Sequence, residues 1–390
     1  MDAKELALEK HAAWQGKIEV VSRVELRTPE DLAVAYTPGV AEPCLKIAED
    51  PELSYTYTRR GNLVAIVTDG SAVLGLGNIG GVAGMPVMEG KCALFKAFAD
   101  VDAFPLCLAT NDVDGIVETV CTIAGSFGGI NLEDIAAPRC FEIERRLKER
   151  LDIPVFHDDQ HGTAVAVCAA LINACRLTGR ALQDVRVAIS GAGAAGISVA
   201  ALMLDLGVRD IVLCDIAGAL YRGKEGMNPA QAAMAERTNP RRVTGGLAEA
   251  MAGADVFVGV SVAEIVSGDM VRAMAPRPIV FSLANPVPEI MPADALAAGA
   301  AVAASGRSDF PNQINNVLVF PGVFRGALDV RSRDITGGMM ASAARAIAEL
   351  IDADALAADH IIPSPFDERV CPAVARAVAD EARAEGLARC

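Results

Sequence analysis

Residues 185–215, VRVAISGAGAAGISVAALMLDLGVRDIVLCD, carry the strongest structural signal in this chain. The apolar runs at 185–189 and 211–214 predict buried strands, and the apolar segment at 197–206 predicts a helix between them. Strands that alternate with helices form a parallel sheet with helices on both faces. The stretch therefore predicts a Rossmann-type, doubly wound sheet.

The turn between the first strand and the helix fits the pattern G-x-G-x-x-G. It consists of Gly191, Ala192, Gly193, Ala194, Ala195 and Gly196. Glycines at such positions let backbone amides approach a pyrophosphate at the start of a helix. Asp215, at the end of the next strand, can accept hydrogen bonds from an adenosine ribose. An ordinary glycine turn is the alternative, but the flanking strand and helix favour a dinucleotide site.

The residues after Asp215 predict NAD rather than NADP as the preferred cofactor. Positions 216–219 are neutral, whereas binding of a 2′-phosphate usually takes arginine or lysine just after this strand. The nearest cations are Arg222 and Lys224. NADP remains possible if one of these side chains folds back onto the phosphate.

The rest of the chain extends the same alternation. Before residue 160, short apolar runs such as 63–67 alternate with glycine-rich turns, and an alanine-rich run at 161–176 predicts a long helix. We therefore predict an α/β protein with two domains. An N-terminal α/β domain spans residues 1–160, and a Rossmann-type NAD(P)-binding domain with C-terminal helices spans residues 161–390.

Composition excludes several classes of partner. The 50 acidic residues outnumber the 35 basic ones, for a net charge of −15, so we expect no nucleic-acid binding. No apolar run approaches the ~20 residues of a membrane span, so we expect no membrane partner. The start of the chain has no apolar signal segment, and the ten cysteines form no C-x-x-C pair. These features predict a reduced, cytoplasmic protein.

Two groups of carboxylates each follow an apolar stretch and so lie at predicted strand ends. INLEDI contains Glu133 and Asp134, and HDDQHGT contains Asp158 and Asp159. Carboxylate oxygens suit Mg²⁺ or Mn²⁺. Surface acids are the alternative in a chain with 50 carboxylates. Histidines flank the second group, but no Cys/His spacing supports a zinc site.

Tyr36 and Lys91 are candidates for proton transfer. Tyr36, in AYTPGV, precedes a predicted turn, and Lys91, in GMPVMEGK, lies in a largely apolar segment. Burial or a nearby cation lowers the pKa of a lysine toward that of a useful base, which makes Lys91 a candidate for this role. From the residues alone, a turn tyrosine and a lysine whose stem covers apolar surface are the simpler interpretations.

Together these segments resemble the malic enzymes in their shorter bacterial form. The resemblance covers nearly the whole chain and rests on eight ordered motifs: AYTPGVAEPC, TDGSAVLGLGNIG, GMPVMEGK, INLEDI, VFHDDQHGTA, GAGAAG, SLANPVPE and NQINNVLVFPG. It implies oxidation and decarboxylation of L-malate to pyruvate with NAD or NADP, dependence on Mg²⁺ or Mn²⁺, and decarboxylation of oxaloacetate. It also implies a homodimer, for which the first ~25 residues are a candidate exchange arm.

The resemblance assigns roles to individual residues. Lys91 would be the general base that takes the C2 hydroxyl proton as hydride leaves, and Tyr36 would be the general acid that protonates C3 after CO₂ departs. The implied metal ligands are Glu133, Asp134 and Asp159. Asp158 would lie next to these ligands without binding the metal directly.

The implied substrate contacts are less complete. Asn285 of SLANP and Asn315 of NQINN would hold malate or the nicotinamide end of the cofactor. Larger malic enzymes carry an arginine that pairs with a malate carboxylate where this chain has Ala72. The malate carboxylate would then be bound by Ser71, by the two asparagines or by backbone amides.

Two other classes of function stay open at this point. A Rossmann dehydrogenase acting on another substrate, such as an amino acid, would use the glycine turn without the acidic groups. A nucleotide-binding protein without catalysis would not need Tyr36, Lys91 and the three carboxylates together. Metal dependence and CO₂ release distinguish these alternatives.

Overall fold

The protein contains two β-sheets whose strands are mainly parallel. The computed structural model describes residues 3–73 and 75–390. The elements up to residue 178 are α1 Ala3–Trp14, α2 Pro29–Ala35, α3 Ala41–Glu49, α4 Ser54–Tyr57, β1 Leu63–Thr68, α5 Gly81–Ala99, β2 Asp102–Cys107, α6 Val113–Ile123, β3 Gly129–Leu132, α7 Arg139–Arg150, β4 Val155–His157 and α8 Asp158–Thr178. The remaining elements are β5 Arg186–Ser190, α9 Ala194–Asp205, β6 Asp210–Asp215, β7 Gly218–Ala219, α10 Pro229–Arg237, α11 Leu247–Met251, β8 Val256–Gly259, α12 Gly268–Arg272, β9 Ile279–Ser282, α13 Pro292–Ala297, β10 Val302–Ser305, α14 Phe320–Asp329, α15 Gly337–Glu349 and α16 Val370–Ala384.

The first sheet has four parallel strands in the order β2-β1-β3-β4. Its central strand β1 is buried from Val64 to Thr68, as an apolar run without alternation predicts for a sheet covered on both faces. Because the strands are parallel, the chain leaves β1, β3 and β4 at the same edge of the sheet. The segments that follow these strands carry Asp69, Glu133 and Asp158, which is why distant carboxylates meet there.

The second sheet has six strands in the order β10-β9-β8-β5-β6-β7, and only β7 is antiparallel. The chain runs outward from β5 in one direction and then returns to extend the sheet on the other side through β8. This is the doubly wound arrangement, so the predicted fold class is confirmed. The point of reversal lies between β5 and β8, where open sheets of this type bind nucleotides.

Helix α8 connects the two sheets and begins three residues before the predicted start at 161. The earlier start places Asp158 and Asp159 in the first helical turn, where the partial positive charge of the helix N-terminus favours carboxylates. Among the helices of the described ranges, none has the length and apolar character needed to cross a membrane.

The C-terminal helices return to the first sheet. The rings of Phe320 and Phe324 on α14 lie 4.8 and 5.3 Å from the ring of Phe95 on α5, measured between centroids. Phe156 of β4 meets Phe324 edge-on at 5.9 Å. These aromatic contacts join the C-terminal segment to the core beneath the first sheet, and the domain division at residue 160 stays a prediction.

Candidate active site

A cavity of about 830 Å³ opens at the carboxyl edge of the first sheet. Helix α5 supplies Lys91, the segment after β3 supplies Glu133 and Asp134, and α8 supplies Asp159. Lys17 and Asn316 also contribute polar side chains to this wall. The structure thus brings together the predicted base and all three predicted metal ligands, from positions as far apart as residues 91 and 159.

Lys91 is the central cation of the cavity. Its side chain is only 7% exposed, and its ammonium lies 3.0 Å from the carboxylate of Glu133 and in contact with that of Asp158. The ammonium also lies 4.0 Å from the centroid of the Phe320 ring. Burial lowers the pKa of Lys91, but the attraction of Asp158 and Glu133 outweighs it and raises the pKa above its usual value. The net shift in the pKa of Lys91 is therefore opposite to the one that burial alone would cause.

Glu133, Asp134 and Asp159 form a group suited to a hard cation. Each offers a carboxylate oxygen, and the three atoms lie within 4.8 Å of one another. One oxygen of Asp134, Oδ2, is buried without a hydrogen-bond partner, which leaves a lone pair free for a ligand. A set of three carboxylates with room for water or substrate fits Mg²⁺ or Mn²⁺.

The backbone around Asp134 is held in an unusual conformation. Its φ is +54°, in the left-handed region, which costs about 1–3 kcal/mol for a residue other than glycine. The amide of Asp134 donates to Asp159 Oδ2 at 2.8 Å, and its carbonyl accepts from the amide of Ala72 at 2.9 Å. These two hydrogen bonds fix the segment after β3 against α8 and the loop after β1.

Burial is the main cause of raised carboxyl pKa values here. Burial, with the negative charge of Asp159, raises the pKa of Asp134 to about 7 and that of Glu133 well above its usual range. Burial also raises the pKa of Asp158 to about 6, although the nearby Lys91 opposes the shift. Such carboxylates resist ionisation unless positive charge is brought to them, which a divalent cation would supply.

The structure distinguishes two neighbouring asparagines. Asn316 donates a hydrogen bond to Asp158 and lies in the wall of the cavity. The side chain of Asn315, the residue named from the NQINN motif, instead accepts from the amide of Val317 at 2.9 Å and caps a short helical turn. The motif identified the segment but not which side chain faces the cavity, because adjacent residues in a loop lack the periodicity that assigns a side.

The hydroxyl group of Ser71 stabilises the loop after β1. It donates to Asp69 at 2.5 Å and accepts from the amide of Ala136 and from Arg139, at 2.9 and 3.0 Å. Arg139 also pairs with Asp69 at 2.9 Å. Ser71 does not contribute to the cavity wall. Arg139, which was not identified from the motifs, holds the Ser71 side chain in place. No local pattern in the sequence relates residue 139 to residue 69.

Tyr36 is not part of the cavity of its own chain. It terminates α2, is 67% exposed and is absent from the residues that line the cavity. Within one chain, Tyr36 therefore does not lie in the cavity that contains Lys91.

The glycine turn after β5 has the geometry of a phosphate-binding turn. Gly191 has a φ of +103°, and a Cβ there would lie 2.5 Å from the carbonyl oxygen of Val260. A Cβ at Gly196 would lie 1.8 Å from the carbonyl oxygen of Gly191. At Gly193 a Cβ would meet nothing within 4 Å, so the backbone there faces open space. Helix α9 then starts at Ala194 without a side-chain cap, which leaves its first amides available to an anion.

Asp215 lies beside this turn and is held by several neighbours. Its Oδ1 accepts from the amide of Ala217 at 2.8 Å, and the ammonium of Lys224 lies 3.5 Å away. Lys224 also donates to three carbonyl oxygens of residues 217–219, at 3.1 Å each. Arg222 pairs with Glu236 at 2.7 Å. Both nearby cations are thus engaged within the protein.

Asn285 follows β9, and its carbonyl oxygen lies 3.8 Å from the position that a Cβ would take on Gly75, in the loop after β1. The loop after β1 therefore lies close to the loop that follows β9. This contact places the Asn285 segment between the two predicted sites.

Comparisons with known proteins agree with this arrangement. Residues 15–148 match the family described as "Malic enzyme, N-terminal domain", and residues 160–383 match "Malic enzyme, NAD binding domain". The chain is 57% identical over 390 residues to a bifunctional malic/malolactic enzyme of Bacillus subtilis, covering all of this chain and 95% of that one. It is 48% identical to an NADP-dependent malic enzyme of Haemophilus influenzae, covering 96% of this chain and 51% of that longer one.

A solved structure extends the comparison to the fold. The structure of an NAD-dependent malic enzyme from Thermotoga maritima superimposes with a TM-score of 0.92 and 49% identity. The match covers 96% of this chain and 98% of that one.

Proposed function

The chain belongs to the malic enzyme family, and from this premise we propose how its own residues carry out the reaction. The reaction is the oxidative decarboxylation of malate to pyruvate and CO₂, with reduction of NAD or NADP. This confirms the enzyme class and the cofactors predicted from the motifs. The observation that supports the assignment to this site is the position of Lys91 within 3.0 Å of a buried carboxylate group that fits a divalent cation.

Lys91 is proposed as the base that takes the proton from the C2 hydroxyl of malate. It can do so once the negative charge around it is neutralised, because Asp158 and Glu133 otherwise hold the proton on its ammonium. Asp158, which contacts both Lys91 and Asn316, orients the lysine side chain. Tyr36 is proposed as the acid that returns a proton to C3.

Glu133, Asp134 and Asp159 are proposed to hold Mg²⁺ or Mn²⁺. A cation held by these three carboxylates would supply positive charge next to the C2 oxygen and to the charge that develops as CO₂ leaves. The chain's own contribution is to fix the three carboxylates: Glu133 and Asp134 are buried, and the amide of Asp134 donates a hydrogen bond to Asp159.

The nucleotide half is proposed to bind NAD in preference to NADP. Gly191 to Gly196 would receive the pyrophosphate, Asp215 the ribose hydroxyls, and Asn285 the nicotinamide end next to malate. Asn316 is added to Asn285 as a candidate contact for malate, because its side chain reaches the cavity.

Three further assignments remain proposals. We retain the division into residues 1–160 and 161–390, a cytoplasmic location and a homodimer.

The proposed function is tested by malate-dependent reduction of NAD and of NADP, with and without Mn²⁺, with both pyruvate and CO₂ quantified. We expect pyruvate and reduced cofactor in equal amounts, and loss of both products when the metal is chelated. Lactate is measured in the same assay, because the Bacillus subtilis relative is named for malolactic activity as well. Cofactor reduction without CO₂ release would contradict the proposal.

A further inference from the structure

One cationic side chain in the wall of the candidate active site has no part in the proposed chemistry. Within the described ranges, Lys17 and Lys91 are the two cations that line the cavity. Lys91 is paired with Glu133 and Asp158. Lys17, in contrast, forms no ion pair within 4.0 Å among the residues that the structure describes. In a chain where 50 acidic residues outnumber 35 basic ones, a half-buried lysine without a carboxylate partner is available to a ligand.

The backbone around Lys17 holds the lysine at this place. Helix α1 is followed by Gln15 and Gly16, which both have a positive φ, of +55° and +115°. Such a φ costs about 1–3 kcal/mol in a residue other than glycine, as at Gln15. The reversal brings Lys17 onto α5, where its amide donates to Glu89 at 3.0 Å and its ammonium donates to the carbonyl of Pro86 at 2.8 Å. An ammonium has three donors, so the side chain is anchored and can still bind an anion.

The ammonium of Lys17 lies close to the segment that carries the proposed base. It is 3.5 Å from the position that a Cβ would take on Gly90, which directly precedes Lys91 in α5. Both lysines line the same cavity of about 830 Å³ as the three proposed metal ligands, and pockets of this size bind small molecules. Lys17 therefore adds positive charge to the cavity that contains the proposed base and the metal group.

The binding of malate in this cavity calls for such a charge. The carboxylates around Lys91, when all are ionised, outweigh the combined charge of Lys91 and a divalent cation; they belong to Glu133, Asp134, Asp158 and Asp159. Malate brings two further negative charges. Like charges repel most strongly where burial keeps water away, so a second cation beside the substrate would favour its binding.

The other groups that could hold a malate carboxylate in place of an arginine at residue 72 are engaged or neutral. The amide of Ala72 donates to a backbone carbonyl at 2.9 Å, and the hydroxyl of Ser71 is used within its own loop. Asn285 and Asn316 stay available as candidates, but an amide carries no charge. Among the described residues, Lys17 is the cation of the cavity wall that no carboxylate of the protein neutralises.

We propose that Lys17 binds the carboxylate of malate that is retained in pyruvate. The carboxylate on C3 leaves as CO₂, and an ion pair with that group would oppose the loss of its charge. The carboxylate on C2 is present in malate, oxaloacetate and pyruvate alike, so an ion pair with it holds all three and opposes no step. The inference rests on the proposed function and deepens it, because it names the cation that selects 2-hydroxy and 2-oxo acids.

The test is Lys17→Met, which removes the charge but keeps the aliphatic stem and the amide bond to Glu89. We expect the KM for malate and the dissociation constant of pyruvate, measured with Mn²⁺ present, both to rise roughly 10- to 100-fold, as for a lost hydrogen bond to a charged group. The kcat should change little, because an interaction made equally in the ground state and the transition state affects binding alone. Lys17→Arg keeps the charge and should restore part of the affinity.

Lys10→Met is the matched control, because Lys10 is exposed on α1 and does not line the cavity. It should behave as the wild type, and Lys17→Met should keep the wild-type KM for NAD and affinity for Mn²⁺. An unchanged KM for malate in Lys17→Met would overturn the proposal. So would weaker binding of malate with unchanged binding of pyruvate, since Lys17 would then hold the carboxylate that leaves.

Two further outcomes separate this inference from the assignments on which it rests. Equal losses of affinity for malate, NAD and Mn²⁺ in Lys17→Met would show a purely structural role and would also overturn the proposal. A wild-type protein that does not convert malate to pyruvate would instead contradict the proposed function.

Discussion

The ammonium of Lys91 lies 3.0 Å from the carboxylate of Glu133, with both side chains almost fully buried. A buried cation and a buried anion stabilise each other's charged states, so this pair keeps the lysine protonated. Removal of Lys91 would leave the buried carboxylates of Glu133 and Asp158 without their cation, which costs about 3–5 kcal/mol. The Lys91–Glu133 pair therefore contributes to the stability of the fold as well as to the proposed chemistry.

Asp159→Asn is expected to weaken Mn²⁺ binding and to remove most of the activity while the fold is kept. An amide is a neutral and poorer ligand for a hard cation than a carboxylate. Isothermal titration with Mn²⁺ and activity at increasing Mn²⁺ concentrations measure the effect, and partial rescue by excess metal is expected. Asp269→Asn, an exposed carboxylate outside the cavity, is the control. Wild-type activity at low metal in Asp159→Asn would remove this residue from the site.

Protonation of Asp134 is expected to add stability to the metal-free protein as the pH falls from about 8 to about 5. Burial raises the pKa of Asp134 to about 7, so between its unfolded and folded pKa values the folded state binds more protons. Stability then rises on acidification and falls as the pH increases through the folded pKa. Melting temperatures in EDTA should differ by about 2–5 °C across this range.

The same pH series in excess Mn²⁺ separates this effect from that of other carboxylates. A bound cation favours the ionised carboxylates, so the gain in melting temperature from Mn²⁺ should be larger at pH 8 than at pH 5. Asp134→Asn should reduce both the dependence in EDTA and the gain from Mn²⁺. Identical pH curves for Asp134→Asn and the wild type would contradict the assignment.

Tyr36→Phe is expected to slow proton transfer to C3 by roughly 10²–10⁴. The substitution removes only a hydroxyl from a side chain that is mostly exposed in the single chain, so folding should be unaffected. Exchange of the methyl protons of pyruvate in D₂O, followed by NMR, reports this step without malate oxidation. Tyr57→Phe, which alters another exposed tyrosine of the same segment, is the control. Undiminished exchange in Tyr36→Phe would exclude it as the proton donor.

NAD is expected to be used with a kcat/KM at least about tenfold above that of NADP, or roughly 1.4 kcal/mol in transition-state binding. Asp215 repels a 2′-phosphate, while Lys224 and Arg222 are engaged with protein groups. Ile216→Arg should shift the preference toward NADP, because residue 216 is fully exposed beside Asp215. Parallel kinetics with both cofactors measure the ratio, and equal efficiency in the wild type would refute the prediction.

Asn316→Ala and Asn315→Ala are expected to have different consequences. Asn316 contacts Asp158 and reaches the cavity, so its loss should lower kcat/KM for malate. Asn315 caps a short helical turn, so its loss should lower the free energy of unfolding by about 0.5–2 kcal/mol and affect catalysis less. Kinetics and urea unfolding of both variants distinguish the two roles. The reverse pattern would restore Asn315 as the substrate contact.

Local patterns were sufficient to predict the fold class, the nucleotide turn and the family. The strand, glycine turn and helix of residues 185–215 are formed by contacts between residues close in sequence, and their order restricts the topology. The carboxylates after β3 and β4 were also predictable as neighbours, because parallel strands bring their carboxyl ends to one edge of the sheet. The strand-end positions of these carboxylates were therefore predictable, whereas their union in one site was implied by the family resemblance.

Other features depended on contacts between distant parts of the chain. The pKa of Lys91 is raised because Asp158 and Glu133, 67 and 42 positions away, surround it, and no local pattern reports that charge balance. Asn316 rather than Asn315 reaches the cavity because of how the loop before α14 packs against α8. The exposure of Tyr36 and the return of α14 to the first sheet likewise follow from packing. Burial and electrostatic environment are properties of the assembled structure, so only the tertiary fold decides them.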